Sequence, residues 1–330
     1  MILSTPVILK AKEYPKINHT DRMMSLGSCF SVHIGNKLQE AKFNCLINPF
    51  GTLYNPSSIA VALEELMLNK RYNETDVFEY NNLWHSWMHH GDFSSNSSFA
   101  LLDKINKNIS KGHEYLKQLD VLFLTFGTSW IYLLSSNSKL VSNCHKVPNR
   151  QFDRVKLSVE DITNQYRSLI GKIRKFNPSV KIVFSISPIR HIRDGLVENQ
   201  ISKSTLILAV DNLCKEFTNC CFYFPSYEIV LDELRDYRYY DRDMVHPSDL
   251  AIDYIWSKFK EAFVLKPTEQ LIEKCCKINK SLNHRPTDPN SVEYKLFLEH
   301  LVLEIEHLIE KNPTLDFRKE IDKCHTILNK

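Results

Sequence analysis

The chain has 330 residues, of which 43% are hydrophobic and 25% are charged, so it is long enough to bury a large core and to carry an appendage. Its 42 basic and 39 acidic side chains give a net charge of +3, which excludes the strongly basic composition typical of nucleic-acid-binding and anionic-membrane-binding proteins. We therefore expect a soluble globular protein with neither a nucleic-acid nor a membrane partner.

The N-terminal segment and the cysteines indicate a compartment. Residues 1–20 carry four charged side chains and no long apolar run, so we expect neither a signal peptide nor a membrane anchor. The nine cysteines form neither a disulfide framework nor a paired C-x-x-C zinc pattern. We expect mostly reduced core thiols, no metal or other cofactor, and a cytoplasmic location.

A short apolar strand at residues 22–27 ends at Gly27 and is followed by Ser28, Cys29 and a helical pattern. Glycine permits a sharp turn off the strand. A helix that begins there directs unpaired N–H groups and its positive dipole end towards Cys29, which favours a thiolate and a developing oxyanion. We predict a nucleophile turn, with a buried, unreactive Cys29 as the alternative.

Strands and helices alternate through the first 265 residues. Short apolar runs predict the strands, and helical periodicity after capping serines predicts the helices. This alternation predicts an α/β fold with a mainly parallel sheet, in which ligands bind beyond the carboxyl ends of the strands. The predicted strands are 22–27, 120–126, 181–187 and 220–224, and the predicted helices include 57–69 and 158–176.

The segment 84–90 is rich in aromatic residues and lies in a long insertion. We predict that it covers a pocket, with His89 and His90 as candidate substrate-binding residues. Its aromatic groups suit a sugar or acyl surface. Packing of the loop by its tryptophans, with the histidines in solvent, is the alternative.

Two later polar clusters are further candidates for substrate binding. Asn143, His145 and Lys146 follow a predicted hairpin at 130–142 and supply polar donors and a cation. Alternatively, Cys144 and His145 bind a metal together with His85, His89 or His90, although these spacings are unspecific. Arg190, His191 and Arg193 follow the strand at 181–187 and suit a carboxylate, phosphate or acidic sugar, with surface solvation as the alternative.

Asp243 and His246 form the complement of the nucleophile turn. Pro247 favours extended backbone at His246 and suits the first turn of the helix that follows. Asp243 is placed to hold one ring nitrogen of His246, which leaves the other nitrogen to take a proton. We predict a Cys29–His246–Asp243 triad; a turn cap and a packed histidine are the alternative.

Beyond residue 265 the pattern becomes helical. Helices are predicted at 267–282 and 291–311 and after Pro313. We predict two units, an α/β domain at 1–265 and a helical extension at 266–330 packed on it. For the helix at 291–311, we predict a buried face that consists of Leu296, Phe297, His300, Leu301, Leu303 and Ile305.

Several motifs in one order resemble the GSCFA-domain family. They are Gly27-Ser28-Cys29-Phe30, Asn48-Pro49-Phe50-Gly51 with Tyr54-Asn55-Pro56, Asn143-Cys144-His145-Lys146, and Ser187-Pro188-Ile189-Arg190-His191. The resemblance runs from about residue 20 to at least residue 260. That family is similar to the SGNH or GDSL hydrolases, which implies a three-layer α/β/α, SGNH-hydrolase-like (flavodoxin-like) fold with a C-terminal helical appendage here.

The resemblance also implies roles for individual residues. Cys29 takes the nucleophile position and Ser28 the acidic one, although a slip of one residue would make Ser28 the nucleophile. Gly51, Gly127 and Ser129 fall at the oxyanion positions, and Ser129 replaces the usual asparagine. Two asparagines of the second motif, Asn48 and Asn55, are candidate substrate-binding residues.

The expected function is SGNH-like acyl-ester hydrolysis or acyl transfer with a Cys29 or Ser28 nucleophile, on an acylated carbohydrate or another polar conjugate. The alternative is a non-catalytic ligand-binding or interaction protein on the same scaffold. Loss of the usual asparagine and aspartate favours this alternative. The oligomeric state stays open.

Overall fold

The computed structural model describes residues 5–284, 286–289 and 291–329. The predicted domains also include residues 1–4, 285, 290 and 330, which lie outside the described residues. The strands are β1 (Arg22–Gly27), β2 (Asn44–Ile47), β3 (Phe78–Tyr80), β4 (Leu83–His85), β5 (Val121–Phe126), β6 (Trp130–Leu134), β7 (Leu140–Val141), β8 (Phe152–Lys156), β9 (Lys181–Ile186) and β10 (Cys221–Phe224).

Helices connect most of these strands and form the C-terminal part of the chain. They are α1 (Cys29–Glu40), α2 (Pro56–Met67), α3 (Ser98–Lys117), α4 (Val159–Phe176), α5 (Gly195–Glu216), α6 (Ser226–Glu228), α7 (Asp249–Phe263), α8 (Lys266–Asn283), α9 (Val292–Lys311) and α10 (Arg318–Leu328). Short 3₁₀ turns lie at Ala11–Glu13, Glu74–Asp76, Gly91–Phe93, Asn149–Gln151, Ile192–Asp194 and Tyr237–Tyr239, and a π-helical turn at Ile229–Glu233.

The central sheet has five strands in the order β10-β9-β5-β1-β2, and all of its neighbouring strands pair in parallel. When these five strands are renumbered 1 to 5 in chain order, their order in the sheet is 2-1-3-4-5, as in flavodoxin-like proteins. The strand order reverses between β1 and β5, so their carboxyl ends border the crevice where ligands bind in such folds. The predicted α/β fold is confirmed.

Alternation along the strands places helices on both faces. In β5, Leu122 and Leu124 pack in a core with α2 to α5, whereas Val121 and Phe123 pack in a core with α1 and α7. Side chains of successive strand residues point to opposite faces, so one apolar run supplies both cores. Fully burying each such side chain stabilises the fold by about 1.5–3 kcal/mol. The result is a three-layer α/β/α body.

Two small antiparallel sheets lie outside the body. One is the hairpin of β3 and β4, and the other has the order β7-β6-β8. The predicted hairpin at 130–142 is confirmed as β6 and β7. The third strand, β8, brings Arg154 alongside Tyr132 and thereby adds a basic side chain to the wall of the site described below.

The C-terminal helices α8 to α10 share a third core. Ile272 at the start of α8 packs in the body, but later residues of the same helix pack against α9 and α10. Lys42 of the body forms an ion pair with Glu320 of α10 at 2.7 Å, and both side chains are largely buried. Helix α8 therefore connects the body to the appendage.

The predicted buried face of α9 is partly wrong. Leu301 and Ile305 are buried as predicted, whereas Leu296, Phe297 and Leu303 are 51%, 41% and 63% exposed and His300 is exposed. The residues of α9 that are buried follow one helical stripe, which consists of Leu298, Leu301, Val302, Ile305 and Leu308. The error arose because the apolar residues of α9 occupy more than one face, and periodicity alone selected the wrong ones.

Among the helices of the described ranges, none combines the length and apolar character needed to cross a membrane.

Candidate active site

The turn between β1 and α1 requires the glycine at position 27. Gly27 has φ of 151°, and a Cβ there would lie 2.3 Å from the carbonyl oxygen of Thr125, too close for any other residue. The buried Asn48 side chain accepts from the Gly27 N–H at 2.9 Å and donates to its carbonyl at 3.3 Å. Asn48 therefore holds the turn in place; it does not line the cavity described below.

Cys29 is the first residue of α1 and is half-buried. The N–H groups of a first helical turn have no partner within the helix, so they are available to a ligand. Ser28, at the N-cap, is 1% exposed, and its buried Oγ has no hydrogen-bond partner in the described structure. Of the two candidate nucleophiles, Cys29 is the more accessible.

Tyr54 contacts the thiol directly. Its hydroxyl lies 3.6 Å from Cys29 Sγ. Burial and then the negative charge of a Cys29 thiolate raise the pKa of Tyr54, which keeps the phenol protonated and able to donate to that thiolate. Tyr54 was not among the site residues predicted from the sequence, although it belongs to the second family motif.

Asp243 and His246 form a hydrogen-bonded pair. Asp243 Oδ2 lies 2.5 Å from His246 Nδ1, and Asp243 Oδ1 accepts from the backbone N–H groups of Val245 and His246 at 2.8 and 2.9 Å. These bonds, led by the one from the His246 backbone, lower the pKa of Asp243 to about 2. Asp243 therefore stays ionised at neutral pH and fixes the ring, while Nε2 has no partner among the described residues.

The nucleophile turn and the histidine loop line one cavity of about 360 Å³, which we call the site cavity. It opens beyond the carboxyl ends of β1, β5 and β9, as the strand order predicts. No hydrogen bond joins Cys29 Sγ to His246 in the described structure. The sequence-predicted residues that line the site cavity are Ser28, Cys29, Asn55, Arg190, His191, Arg193 and His246.

The Asn55 side chain uses only its oxygen atom for a hydrogen bond within the described structure. Its Oδ1 caps α2 by accepting from the Ser58 N–H at 2.8 Å, which fixes the side chain. Its Nδ2 donates to no other described residue. An amide donor is thus held on the wall of the site cavity next to the segment that carries Tyr54.

The expected oxyanion positions do not line the site cavity. The Gly51 N–H donates to the carbonyl of Asn48 at 2.7 Å, and the Gly127 N–H donates to the carbonyl of Tyr54 at 2.8 Å. Ser129 is fully buried, and its hydroxyl bonds to Ser202 at 3.1 Å. All three expected donors are therefore engaged within the protein.

His89 and His90 also lie outside the site cavity. His89 is fully buried and stacks on Phe50 at 4.6 Å, and burial lowers its pKa to about 3. His90 is half-buried and lies 3.0 Å from the exposed Asp92. The segment 84–90 thus packs against the body, and none of its residues lines the site cavity.

Asn143, His145 and Lys146 are likewise not on the site cavity wall. The Asn143 side chain accepts from the His145 N–H at 2.9 Å, and His145 Nε2 lies 2.8 Å from the carbonyl of Ser86. Burial lowers the pKa of His145 to about 4. Lys146 is exposed. These contacts tie the loop to the segment 84–90.

No group of three or more His, Cys, Asp or Glu side chains is arranged to hold a metal ion in the described part of the chain. The ring nitrogens of His85, one of the weaker metal candidates, lie 2.7 Å from the Ser94 hydroxyl and 3.1 Å from the carbonyl of Tyr80. The protein itself therefore occupies both ring nitrogens.

Lys203 of α5 is fully buried beneath the site and was not predicted from the sequence. Its Nζ donates to the carbonyls of Gly127 and Ser187 at 2.6 and 2.7 Å, which follow β5 and β9. Burial lowers the pKa of Lys203 to about 7. Burial, followed by the charge of Lys203, lowers the pKa of His191 to about 4.

A signal for Lys203 was present in the sequence. It occupies the apolar stripe of α5 with Leu206, Val210 and Leu213, where a lysine stands out because lysine is almost never fully buried. Four of the other missed wall residues, Trp130, Tyr132, Arg154 and Asp194, come from segments far apart in sequence. No local pattern linked them to the nucleophile turn.

Comparisons with known proteins identify the family. The GSCFA family model matches residues 22–259, and the model of the GSCFA C-terminal domain matches residues 276–330. A comparison with curated proteins gave no match. Solved structures that match include an acetyl xylan esterase from the rumen bacterium Butyrivibrio proteoclasticus, with 11% identity and a TM-score of 0.36 over 74% of this chain; the chain spans 65% of that esterase. The family models cover most of the sequence, and the chain belongs to the GSCFA family.

Proposed function

We propose that this protein is an acyl-ester hydrolase or acyltransferase with Cys29 as nucleophile, His246 as general acid and base, and Asp243 as the group that orients His246. One observation carries the proposal. Cys29 and His246 line the same cavity, and Asp243 holds His246 by Nδ1, which leaves Nε2 for proton transfer. Catalytic hydrogen bonds often form only with substrate present, so a direct bond between Cys29 and His246 is not required here.

In the first step, His246 Nε2 takes the proton of the Cys29 thiol while Sγ attacks the acyl carbonyl and forms a tetrahedral oxyanion. The C–O bond to the alcohol then breaks, and protonated His246 gives its Nε2 proton to the departing alkoxide. The N–H of Cys29 at the helix N-terminus and Asn55 Nδ2 are the proposed oxyanion donors, because neither donates a hydrogen bond to any residue that the structure describes. The product is a thioester on Cys29.

In the second step, water or another alcohol attacks the thioester. His246 takes the proton of the attacking group, the C–S bond breaks, and the departing Cys29 sulfur regains its proton from His246. Water gives hydrolysis and an alcohol gives transfer, so the two reactions differ only in the acceptor.

Free thiols at all nine cysteines support the reducing cytoplasm as the proposed compartment. An acylated carbohydrate or polar conjugate is the proposed substrate.

Intact-mass measurement with an activated acetyl ester tests the nucleophile. We expect one acetyl adduct on the native chain, loss of it in Cys29→Ala, and retention in Ser28→Ala. His246→Ala should slow turnover of the adduct. A native chain without an adduct, or an undiminished adduct in Cys29→Ala, would contradict the proposal; loss only in Ser28→Ala would assign the nucleophile to Ser28.

A second candidate function is ligand binding without catalysis. It is favoured by the internal hydrogen bonds of Gly51, Gly127 and Ser129, because these donors are not free for an oxyanion. A thermal-shift screen of metabolites separates the two functions. Ligand stabilisation that persists in Cys29→Ala and His246→Ala, with no turnover of any ester by the native chain, would support the binding protein.

A further inference from the structure

Positive charge exceeds negative charge on the wall of the site cavity. Three arginines line it, Arg154, Arg190 and Arg193, with Asp194 as the one carboxylate among its described wall residues. Both terminal nitrogens of Arg154 bond to the two oxygens of Asp194. This forked ion pair engages both oxygens of the carboxylate, so Asp194 forms no ion pair with either of the other two arginines and acts on Arg193 only at longer range.

Arg190 is held by aromatic rings. Its guanidinium lies 4.1 Å from the ring centre of Tyr240 and 5.4 Å from that of Tyr237. Its backbone N–H donates to the carbonyl of Val245 at 3.4 Å, next to His246. Tyrosine rings orient a guanidinium without neutralising it, so a full positive charge stands beside the histidine loop.

Arg193 is held by neutral oxygen atoms. One terminal nitrogen donates to the Tyr132 hydroxyl at 2.7 Å and the other to Asn149 Oδ1 at 3.3 Å. A guanidinium has five N–H donors, so three remain. Within the described ranges, neither Arg190 nor Arg193 forms an ion pair with a carboxylate.

Water compensates the unpaired charge of Arg193 better than that of Arg190. Arg193 is exposed, but Arg190 is half-buried, and water compensates a half-buried charge less completely. Both side chains are also fixed by their partners before a ligand arrives, which reduces the ordering cost of binding. Fixed, unneutralised guanidinium groups next to a nucleophile suit an anionic group of the substrate.

We propose that the ester accepted by this site carries an anionic group, a carboxylate or a phosphate, and that Arg190 and Arg193 bind it. The ester part of this inference rests on the proposed function, whereas the anion part does not. Charge-assisted hydrogen bonds are worth about ten- to a hundredfold in affinity. Trp130 and Tyr132 add aromatic side chains to the same wall, against which the body of the ligand would pack.

Three acetyl esters of matched size test the proposal: 4-acetoxybenzoate, its neutral amide 4-acetoxybenzamide, and 4-acetoxyphenyl phosphate. We expect kcat/KM for at least one anionic ester to exceed that for the amide by about tenfold or more. The ratio between the two anionic esters identifies the preferred anion. Equal values for all three esters would overturn the inference.

Two variants assign the preference to residues. Arg190→Gln and Arg193→Gln should each reduce the ratio of anionic to neutral kcat/KM by about tenfold. Arg190→Lys keeps the charge but loses the paired N–H donors of the guanidinium, so its ratio should lie between those of Arg190→Gln and the native chain. Arg71→Gln is the matched control, because Arg71 is exposed and lies outside the site cavity; a similar fall in this control would show a general charge effect and overturn the assignment.

Equilibrium binding separates this inference from the proposed function. Calorimetry on Cys29→Ala compares 4-hydroxybenzoate and 4-hydroxyphenyl phosphate with 4-hydroxybenzamide. Anion-selective binding that Arg190→Gln weakens, without turnover of any ester by the native chain, would keep the anion site and overturn the ester chemistry. Turnover of the esters without anion selectivity in either assay would keep the ester chemistry and overturn the anion site. Absence of both turnover and binding would overturn both proposals.

Discussion

The Tyr54 hydroxyl lies 3.6 Å from Cys29 Sγ, and the backbone of Tyr54 is tied to the strand end opposite. Its carbonyl accepts from the N–H groups of both Gly127 and Thr128, at 2.8 and 3.0 Å. The neighbouring Leu53 N–H donates to the carbonyl of Gly27 at 2.9 Å. Bonds to the ends of both β1 and β5 thus fix the phenol relative to the thiol.

Removing this hydroxyl should slow the reaction of Cys29. A hydrogen bond to a charged acceptor is worth about 1.5–3 kcal/mol, so we expect Tyr54→Phe to reduce the rate of Cys29 alkylation by iodoacetamide at neutral pH about tenfold or more. Peptide mass mapping assigns the alkylated cysteine. Tyr115→Phe is the control, because that hydroxyl bonds to Asn44. An unchanged rate in Tyr54→Phe would mean that the phenol does not stabilise the thiolate.

The Asp243–His246 pair predicts the effect of a neutral substitution. General acid–base catalysis contributes about 10²- to 10⁴-fold, and we expect Asp243→Asn to lower kcat/KM for a cleaved ester within that range, because the amide cannot stabilise the imidazolium. Asp241→Asn makes the same change at an exposed neighbour outside the pair and should stay close to the native value. Equal rates for the two variants would remove Asp243 from the mechanism.

The low pKa of Asp243 also determines the shape of the pH profile. Because this pKa is about 2, the carboxylate persists throughout pH 4–8. An acid limb within this interval should therefore belong to another group, and Asp243→Asn should lower the whole profile. A limb that Asp243→Asn abolishes would show that the carboxylate itself titrates there.

Lys203 predicts a stability difference at alkaline pH. Its pKa is about 7 in the folded chain and about 10.4 in an unfolded one, so the unfolded state binds more protons between these values. Stability of the native chain relative to Lys203→Met should then rise with pH, by up to about 1.4 kcal/mol per pH unit. Urea unfolding at pH 7.5, 8.5 and 9.5 measures it.

The matched control is Lys215→Met on the same helix. Lys215 is 74% exposed and pairs with Asp211, so its difference from the native chain should change little over this range. If the difference in unfolding free energy between Lys203→Met and the native chain is equally independent of pH, the buried amine keeps an ordinary affinity for protons.

Local sequence signals predicted the parts of the site that are local in the chain. The turn from β1 to Cys29 and the Asp243–His246 pair each lie within a few residues, so backbone rules alone restrict their geometry. The helix predicted at 158–176 after a capping serine does follow such a cap, formed by Ser158 with Asp161. For α2 the predicted capping serines were wrong: Asn55 caps the helix and Pro56 begins it.

The parts of the fold and of the site that the sequence did not predict depend on packing between distant segments. Strand β2 has only four residues, Asn44–Ile47, and is recognisable by its pairing with β1, which no local pattern shows. Arg154 reaches the site cavity through the pairing of β8 with β6. His89 looked like a pocket residue because its segment is polar and aromatic, yet three-dimensional packing buried it completely. The proposed division at residue 265 precedes α8, which packs in both units.

The buried His89 predicts sensitivity to acid. The ring lies between Phe50 and Tyr72, Nδ1 is 2.9 Å from the Ser86 hydroxyl, and the buried Nε2 has no partner in the described structure. Burial keeps its pKa at about 3, against about 6.5 in an unfolded chain. Below pH 6.5 the unfolded state therefore takes up a proton that the folded state refuses, and stability falls as the pH falls towards 3.

His89→Phe should remove this acid sensitivity, because phenylalanine preserves the ring stacking and does not titrate. Between pH 6.5 and 4, the unfolding free energy of the variant should rise relative to the native chain by about 3 kcal/mol. Urea unfolding at both pH values measures the change. His300→Phe, at an exposed position of α9, makes the same substitution where both states protonate alike, so its curve should run parallel to the native one. Parallel curves for His89→Phe as well would show that His89 takes up its proton in the folded chain, which would require an opening of the loop 84–90 around it.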